Sequence, residues 1–232
     1  MAELIIALDF DNSSSALALA HTLRNRVKWL KVGLELFCAT GPDIINALCD
    51  FGFRVFLDLK IYDIPNTAAG AVKAAVKSGA SMLTIHCQGG ERMCRAVMDA
   101  ARDVTVPPLI MGVTALTSFA NGEMPGITRE PGIYGIELAN LAGSWGLNGV
   151  VCSGWEAASI KASANLLCVC PGIRPETAAC ADQRRVMTPD QAVAAGADFL
   201  VIGRPVTRST DPVGVVDSIL AGMVNSAKSV NG

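Results

Sequence analysis

The chain has 232 residues, 51% of them hydrophobic, 17% charged and 5% aromatic, with a mean hydropathy of +0.40, too apolar and too weakly charged for a disordered chain. A domain of this length buries roughly 70–75% of the surface its unfolded chain exposes, enough for a sizeable core without disulfide or metal staples. Nineteen basic against twenty-one acidic residues leave a formal charge of −2, and no run of like charge exceeds Arg184-Arg185, which argues against a nucleic-acid-binding face.

The first apolar run, Leu4–Leu8, is bracketed by Glu3 and Asp9. No stretch approaches the roughly 18 apolar residues of a membrane span, so neither a signal peptide nor an anchor is expected. From there short apolar β-type runs alternate with alanine-rich amphipathic stretches, without a linker or low-complexity break. In chain order, strand Leu4–Leu8 precedes helix Ser13–Arg24, strand Trp29–Val32 precedes helix Pro42–Phe51, and strand Arg54–Leu59 precedes helix Pro65–Lys77. Strand Met82–Ile85 leads to helix Glu91–Arg102, Leu109–Val113 to Ile133–Trp145, and Gly149–Cys152 to Trp155–Ala162. Strand Leu166–Val169 with helix Pro189–Ala195, then strand Phe199–Ile202 with helix Pro212–Asn225, complete the series. Pro42, Pro65, Pro189 and Pro212 suit first helical turns, and Gly52, Gly79, Gly146 and Gly196 follow helices as stops.

Eight such units allow about 29 residues each, which suits an α/β chain folded as a single (β/α)8 TIM barrel over residues 1–232; a doubly wound open sheet is the rival architecture. Two longer loops, Thr114–Gly132 and Pro171–Thr188, both follow strands and in a barrel would lie on the face where active sites are built.

Eight cysteines are scattered along the chain with no C-x-x-C pair, and several sit inside apolar runs such as Leu166-Leu167-Cys168-Val169-Cys170. Reduced cysteine behaves there as a small hydrophobe. With only His21 and His86 as nitrogen ligands, a reduced, cytoplasmic protein without a zinc site is the simpler expectation.

The densest chemistry is Asp58-Leu59-Lys60-Ile61-Tyr62-Asp63-Ile64-Pro65-Asn66-Thr67, which closes the third strand. Alternation along a strand puts Asp58 and Lys60 on one face. By spacing alone they fit a solvated ion pair as well as a catalytic one. Lys31, ending the second strand, would neighbour both in a barrel, and such a lysine–aspartate array is costly to desolvate unless mutually paired, which is more typical of working sites than of surfaces. Asp9 adds an acid to the same rim; its bland role, capping the helix near Ser13, could equally fall to Asn12 or Ser13. Gly203-Arg204 after the eighth strand and Gly172-Ile173-Arg174 after the seventh place two glycine-containing turns and two arginines where barrels often bind phosphate.

These segments, with Val113-Thr114-Ala115-Leu116-Thr117-Ser118 and Asp182-Gln183-Arg184-Arg185, resemble the orotidine 5′-monophosphate decarboxylase family along the full chain. The resemblance implies a cofactor-free, metal-free decarboxylase of pyrimidine biosynthesis with Lys60 as proton donor in a charged network of Lys31, Asp58, Lys60 and Asp63. It also implies Asp9 and Lys31 on ribose hydroxyls, Thr117 on the pyrimidine, and Gln183, Arg204 and Gly203 on the phosphate, with Arg174 in the same phosphate loop. Asp63 and Thr67 would reach into a neighbouring subunit's site, making a homodimer. His86 and Ser118 read as structural, the histidine as a hydrogen-bonded packing residue. Related barrels acting on sugar phosphates with magnesium share the Asp-x-Lys-x-x-Asp core, but Ile64-Pro65-Asn66-Thr67 and Thr117-Ser118 fit the nucleotide enzyme better. A non-catalytic nucleotide-phosphate binder would not need a four-charge cluster.

Overall fold

In the computed structural model, which describes residues 2–174 and 187–230 (225–230 by backbone alone), eight parallel strands close into a barrel in sequence order. The first half of the chain runs β1 (Glu3–Ala7), α1 (Ser13–Thr22), β2 (Trp29–Gly33), α2 (Leu34–Thr40), α3 (Asp43–Asp50), β3 (Arg54–Ile61), α4 (Pro65–Lys77), β4 (Ala80–His86) and α5 (Gly90–Arg102). The second runs β5 (Leu109–Val113), α6 (Pro131–Ser144), β6 (Gly149–Val151), α7 (Gly154–Ala164), β7 (Leu167–Cys170), α8 (Pro189–Ala194), β8 (Phe199–Ile202), α9 (Arg204–Thr207) and α10 (Pro212–Val230). Pairing of β1 with both β2 and β8 leaves no open edge, so the doubly wound sheet is excluded.

Two populations of apolar side chains follow from strand alternation. Leu4, Ile6 and Leu8 face outward to the helices, joined by Leu30, Val32 and Leu57. Ile5, Ala7, Trp29, Phe56, Met82, Met111, Val169, Phe199 and Val201 fill the barrel interior. Each fully buried Ile, Val, Phe or Met among them contributes about 1.5–3 kcal/mol of transfer free energy. At the N-terminal end Trp29 meets Phe199 edge-on at 5.6 Å, donates from Nε1 to Glu3 at 2.9 Å and lies under the Arg54 guanidinium at 4.2 Å, which plugs the barrel floor. Access is left to the C-terminal mouth.

Three helical details depart from expectation. Helix α2 begins directly at the end of β2 with Gly33 as its cap and no side-chain capping bond, so it lacks the usual start signal. Pro42 occupies the cap position of α3, one residue outside the helix. Helix α9 forms a single turn immediately after Gly203. Of the expected stops, Gly79 and Gly196 sit at φ 94° and 92°, where a side chain would be strained. Asn12 caps α1, accepting from Ser15 N at 2.8 Å, which releases Asp9 from that duty.

The seven described cysteines are all free thiols. Burial raises the Cys94 thiol to about 11 and pushes Cys87 higher still, so both act as hydrophobes. No helix among the described residues is long and apolar enough to cross a membrane.

Candidate active site

The barrel mouth holds a cavity of about 250 Å³ lined by the ends of seven strands and the loops that follow them. Four alternating charges form one wall. Asp9 follows β1; its Oδ1 accepts from Lys31 Nζ at 3.2 Å. Lys31, on β2, stands 3.8 Å from Asp58 Oδ2. Lys60 Nζ lies 2.9 Å from each carboxylate oxygen of Asp58. The side chains of Lys31 and Asp58 are only 12% and 13% exposed and that of Lys60 31%, so each buried charge depends on its neighbours of opposite sign. Burial alone would raise the Asp58 carboxyl; the Lys31 and Lys60 charges, with hydrogen bonds from Lys60 and Thr84, outweigh it and hold the group below its ordinary range.

Asp58 and Lys60 meet through a bulge as well as through alternation. Leu57 pairs with Leu83 and Ile61 with Ile85, so three residues of β3 stand opposite the single residue Thr84 of β4. Lys60 takes a left-handed φ of 51° there, a conformation that costs a non-glycine residue about 1–2 kcal/mol. Its backbone N–H donates to Thr84 Oγ1 at 2.8 Å, and the same hydroxyl donates to Asp58 Oδ1 at 2.9 Å.

Two glycines make room beside this wall. A Cβ at Gly33 would stand 2.9 Å from Lys31 Nζ, and one at Gly203 would stand 3.0 Å from Asp9 Oδ2. Arg174, buried at 7% exposure, and Arg204 also line the cavity, together with Thr117 and Gly172. Among the lining charges four cations face two acids, so the cavity attracts an anion. Phe56, Val113, Val151, Val169 and Val201 make the remaining lining largely apolar. Main-chain bonds from Arg174 N to Met187 O at 3.0 Å and from Met187 N to Gly172 O at 3.4 Å pin the two stems of the loop after β7.

Asp9, Lys31, Asp58, Lys60, Thr117, Arg174, Gly203 and Arg204 are thus gathered around one cavity. Asp63 and Thr67 are not: both are exposed, and Asp63 Oδ1 accepts from its own neighbour Ile64 N at 2.7 Å. Beside them Tyr62 and Ile64 are 61% and 67% exposed. Gln183 lies outside the described residues. His86 is not the hydrogen-bonded packing residue expected: its buried Nδ1 has no partner among the described residues, and its ring packs against Tyr62 at 5.6 Å. Burial, then the Lys60 charge, lower its pKa against the opposing pull of Asp58. Sequence reasoning missed Thr84 and Gly33, although inward strand parity, shared by Met82 with Thr84 and by Lys31 with Gly33, marks both positions.

A closed (β/α)8 barrel whose C-terminal mouth carries paired lysines and aspartates beside two arginines defines a barrel enzyme built for an anionic substrate. Residues 2–219 match the profile of the Orotidine 5'-phosphate decarboxylase / HUMPS family, and the chain belongs to that family. It is 55% identical over 230 residues to the orotidine 5'-phosphate decarboxylase of Nitratidesulfovibrio vulgaris (strain DP4), covering 96% of this chain and 98% of the relative. Identity to the protein of the same name from Lawsonia intracellularis (strain PHE/MN1-00) is 47%, covering 97% and 100%. The crystal structure of orotidine 5'-phosphate decarboxylase from Lactobacillus acidophilus superposes with a TM-score of 0.84 at 31% identity, covering 96% of this chain and 99% of that one.

Proposed function

We propose that this chain converts orotidine 5′-monophosphate to uridine 5′-monophosphate and carbon dioxide, a step of pyrimidine biosynthesis, in the cytoplasm and without metal or cofactor. The observation that carries this reading is the Lys60 ammonium held on Asp58 at 2.9 Å, at the edge of a cavity that also holds two arginines and an apolar remainder. Loss of carbon dioxide from C6 of the pyrimidine leaves an electron pair in the ring plane, where the π system cannot delocalise it. The Lys60 cation stabilises that charge as it develops and then delivers the proton to C6. Asp58 holds the Lys60 ammonium in position through both carboxylate oxygens, and it faces the departing carboxylate. Preorganised stabilisation of the carbanion carries more of the effect than repulsion of the ground state.

Asp9 and Lys31 hold the ribose hydroxyls and Thr117 the pyrimidine. Arg204, Gln183, Arg174 and the backbone at Gly203 bind the phosphate, which does not react; its binding energy goes into desolvation and orientation. Asp9 and Asp58 are each engaged by a lysine, and among the described residues there is no acid cluster of the kind Mg²⁺ prefers. The exposed Tyr62-Asp63-Ile64 segment and Thr67 fit a homodimer in which Asp63 and Thr67 complete the partner's site. Incubating the purified protein with orotidine 5′-monophosphate labelled in its carboxylate, in the presence of EDTA, should release labelled carbon dioxide with matching uridine monophosphate. No release, or release abolished by EDTA and restored by Mg²⁺, would overturn the reading and favour sugar-phosphate chemistry.

A further inference from the structure

At the bulge in β3 the regular ladder to β4 is interrupted, since Asp58, Leu59 and Lys60 face only Thr84. A ladder broken at a buried position leaves main-chain donors in need of acceptors. Thr84 is 0% exposed, and its hydroxyl has one proton to donate and lone pairs to accept with. Both capacities are used: it accepts from Lys60 N at 2.8 Å and donates to Asp58 Oδ1 at 2.9 Å. One side chain therefore ties the backbone of the lysine, in its left-handed conformation, to the carboxylate that its own ammonium grips.

We propose that Thr84 is a positioning residue for the Asp58–Lys60 pair, its hydroxyl standing in for the missing ladder acceptor and fixing where Lys60 Nζ is presented. This rests on the reading of Lys60 as proton donor. Without the hydroxyl, Lys60 N–H loses its acceptor and Asp58 Oδ1 loses a donor. The left-handed turn is then no longer held, and the ammonium loses its fixed approach to the reacting carbon. Misplacement of a reacting group on this scale costs up to about 10²-fold in rate. The phosphate contacts proposed at Arg174, Gly203 and Arg204 involve neither Thr84 nor Asp58 and should be unaffected.

Thr84→Val keeps the shape and removes the hydroxyl, whereas Thr84→Ser keeps the hydroxyl. Thr84→Val should lower kcat by about 10–10²-fold with KM within about threefold of wild type, and Thr84→Ser should stay within about threefold on both. A second readout needs no turnover: titration of the Asp58 carboxyl by ¹³C NMR, assigned with Asp58→Asn. The charged or titratable groups around Asp58 are Lys31 on β2, Lys60 on β3 and His86 on β4, with Asp9 beyond Lys31, and all are retained in both variants. The Asp58 titration should move upward in Thr84→Val and stay near wild type in Thr84→Ser. If Thr84→Val does not fold, Thr84→Ala and Thr84→Ser, which differ only by the hydroxyl, should show the same contrast.

A hydroxyl-free variant with kcat within twofold of wild type overturns the proposal, as does an unmoved Asp58 titration, or a serine variant as impaired as the valine one. Failure of the wild-type protein to decarboxylate orotidine 5′-monophosphate would instead refute the proposed function, and the titration would still decide the role of Thr84.

Discussion

Lys60 is bound to Asp58 more closely than Lys31 is: its Nζ lies 2.9 Å from both carboxylate oxygens, against 3.8 Å from Lys31 Nζ to Oδ2. The more exposed lysine is thus the one most firmly oriented, which suits a group that must meet substrate in a fixed geometry. Lys60→Ala should lower kcat by at least about 10³-fold, since it removes both the cation and the proton donor. Product nucleotide should still bind within about tenfold of wild type, because phosphate and ribose contacts act in ground and transition states alike. Single-turnover kinetics and calorimetric titration with uridine monophosphate check the two halves. A kcat within tenfold of wild type would remove Lys60 from the chemistry.

Gly33 gives a cleaner probe of the Asp9–Lys31 pair. Its φ of −92° is open to any residue, yet an added Cβ would stand 2.9 Å from Lys31 Nζ and 3.7 Å from Asp9 Oδ1. The amine is the far end of a flexible chain and yields before the fold does. Gly33→Ala should therefore leave stability unchanged or raise it by up to about 1 kcal/mol. Displacing Lys31 should meanwhile lower kcat/KM about tenfold or more. A thermal melt paired with steady-state kinetics separates the effects; loss of stability with unchanged kcat/KM per folded molecule would contradict the prediction.

Acid should destabilise the protein in two steps with different owners. His86 is lowered from 6.5 by burial and then by Lys60, so the unfolded chain binds a proton there before the folded one does. Stability is lost as pH falls from 6.5 through the folded value. Asp58 is lowered from 3.8; its contribution is complete above 3.8 and is lost as pH falls through the still lower folded value. Urea melts over a descending pH series should show a shallower first loss in His86→Phe and a shallower second loss in Asp58→Asn. Parallel curves for wild type and His86→Phe would mean that His86 titrates alike in both states.

Much of the barrel was legible because apolar runs and proline and glycine signals repeat eight times, and inward parity followed once the strands were placed. Helix α2 was not, because it follows β2 without a loop and lacks a capping side chain. The site was legible as a set of residue types at strand ends, and Lys31, Asp58 and Lys60 do converge. Their geometry was not, since strand alternation assumes a regular backbone and the bulge at Lys60 depends on a tertiary partner, Thr84, 24 residues away. Asp63 carries no signal within one chain of whom it serves: its carboxylate turns to its own backbone neighbour.

The strongest test of the proposed shared site uses Asp63. In a homodimer of Lys60→Ala, or of Asp63→Ala, both sites carry the defect and activity should be severely impaired. Mixing the two variants changes the count. In a mixed dimer one site receives both substitutions, while the other joins an intact Lys60 from one chain to an intact Asp63 from its partner. Random exchange makes half the dimers mixed, each with one intact site, so roughly a quarter of wild-type activity should return. Recovery should require conditions that let subunits exchange, such as dilution or mild denaturant followed by refolding. If Asp63 served the Lys60 of its own chain, every site would contain a defect and mixing would restore nothing. Verified mixed dimers without recovered activity would therefore assign Asp63 to its own chain's site.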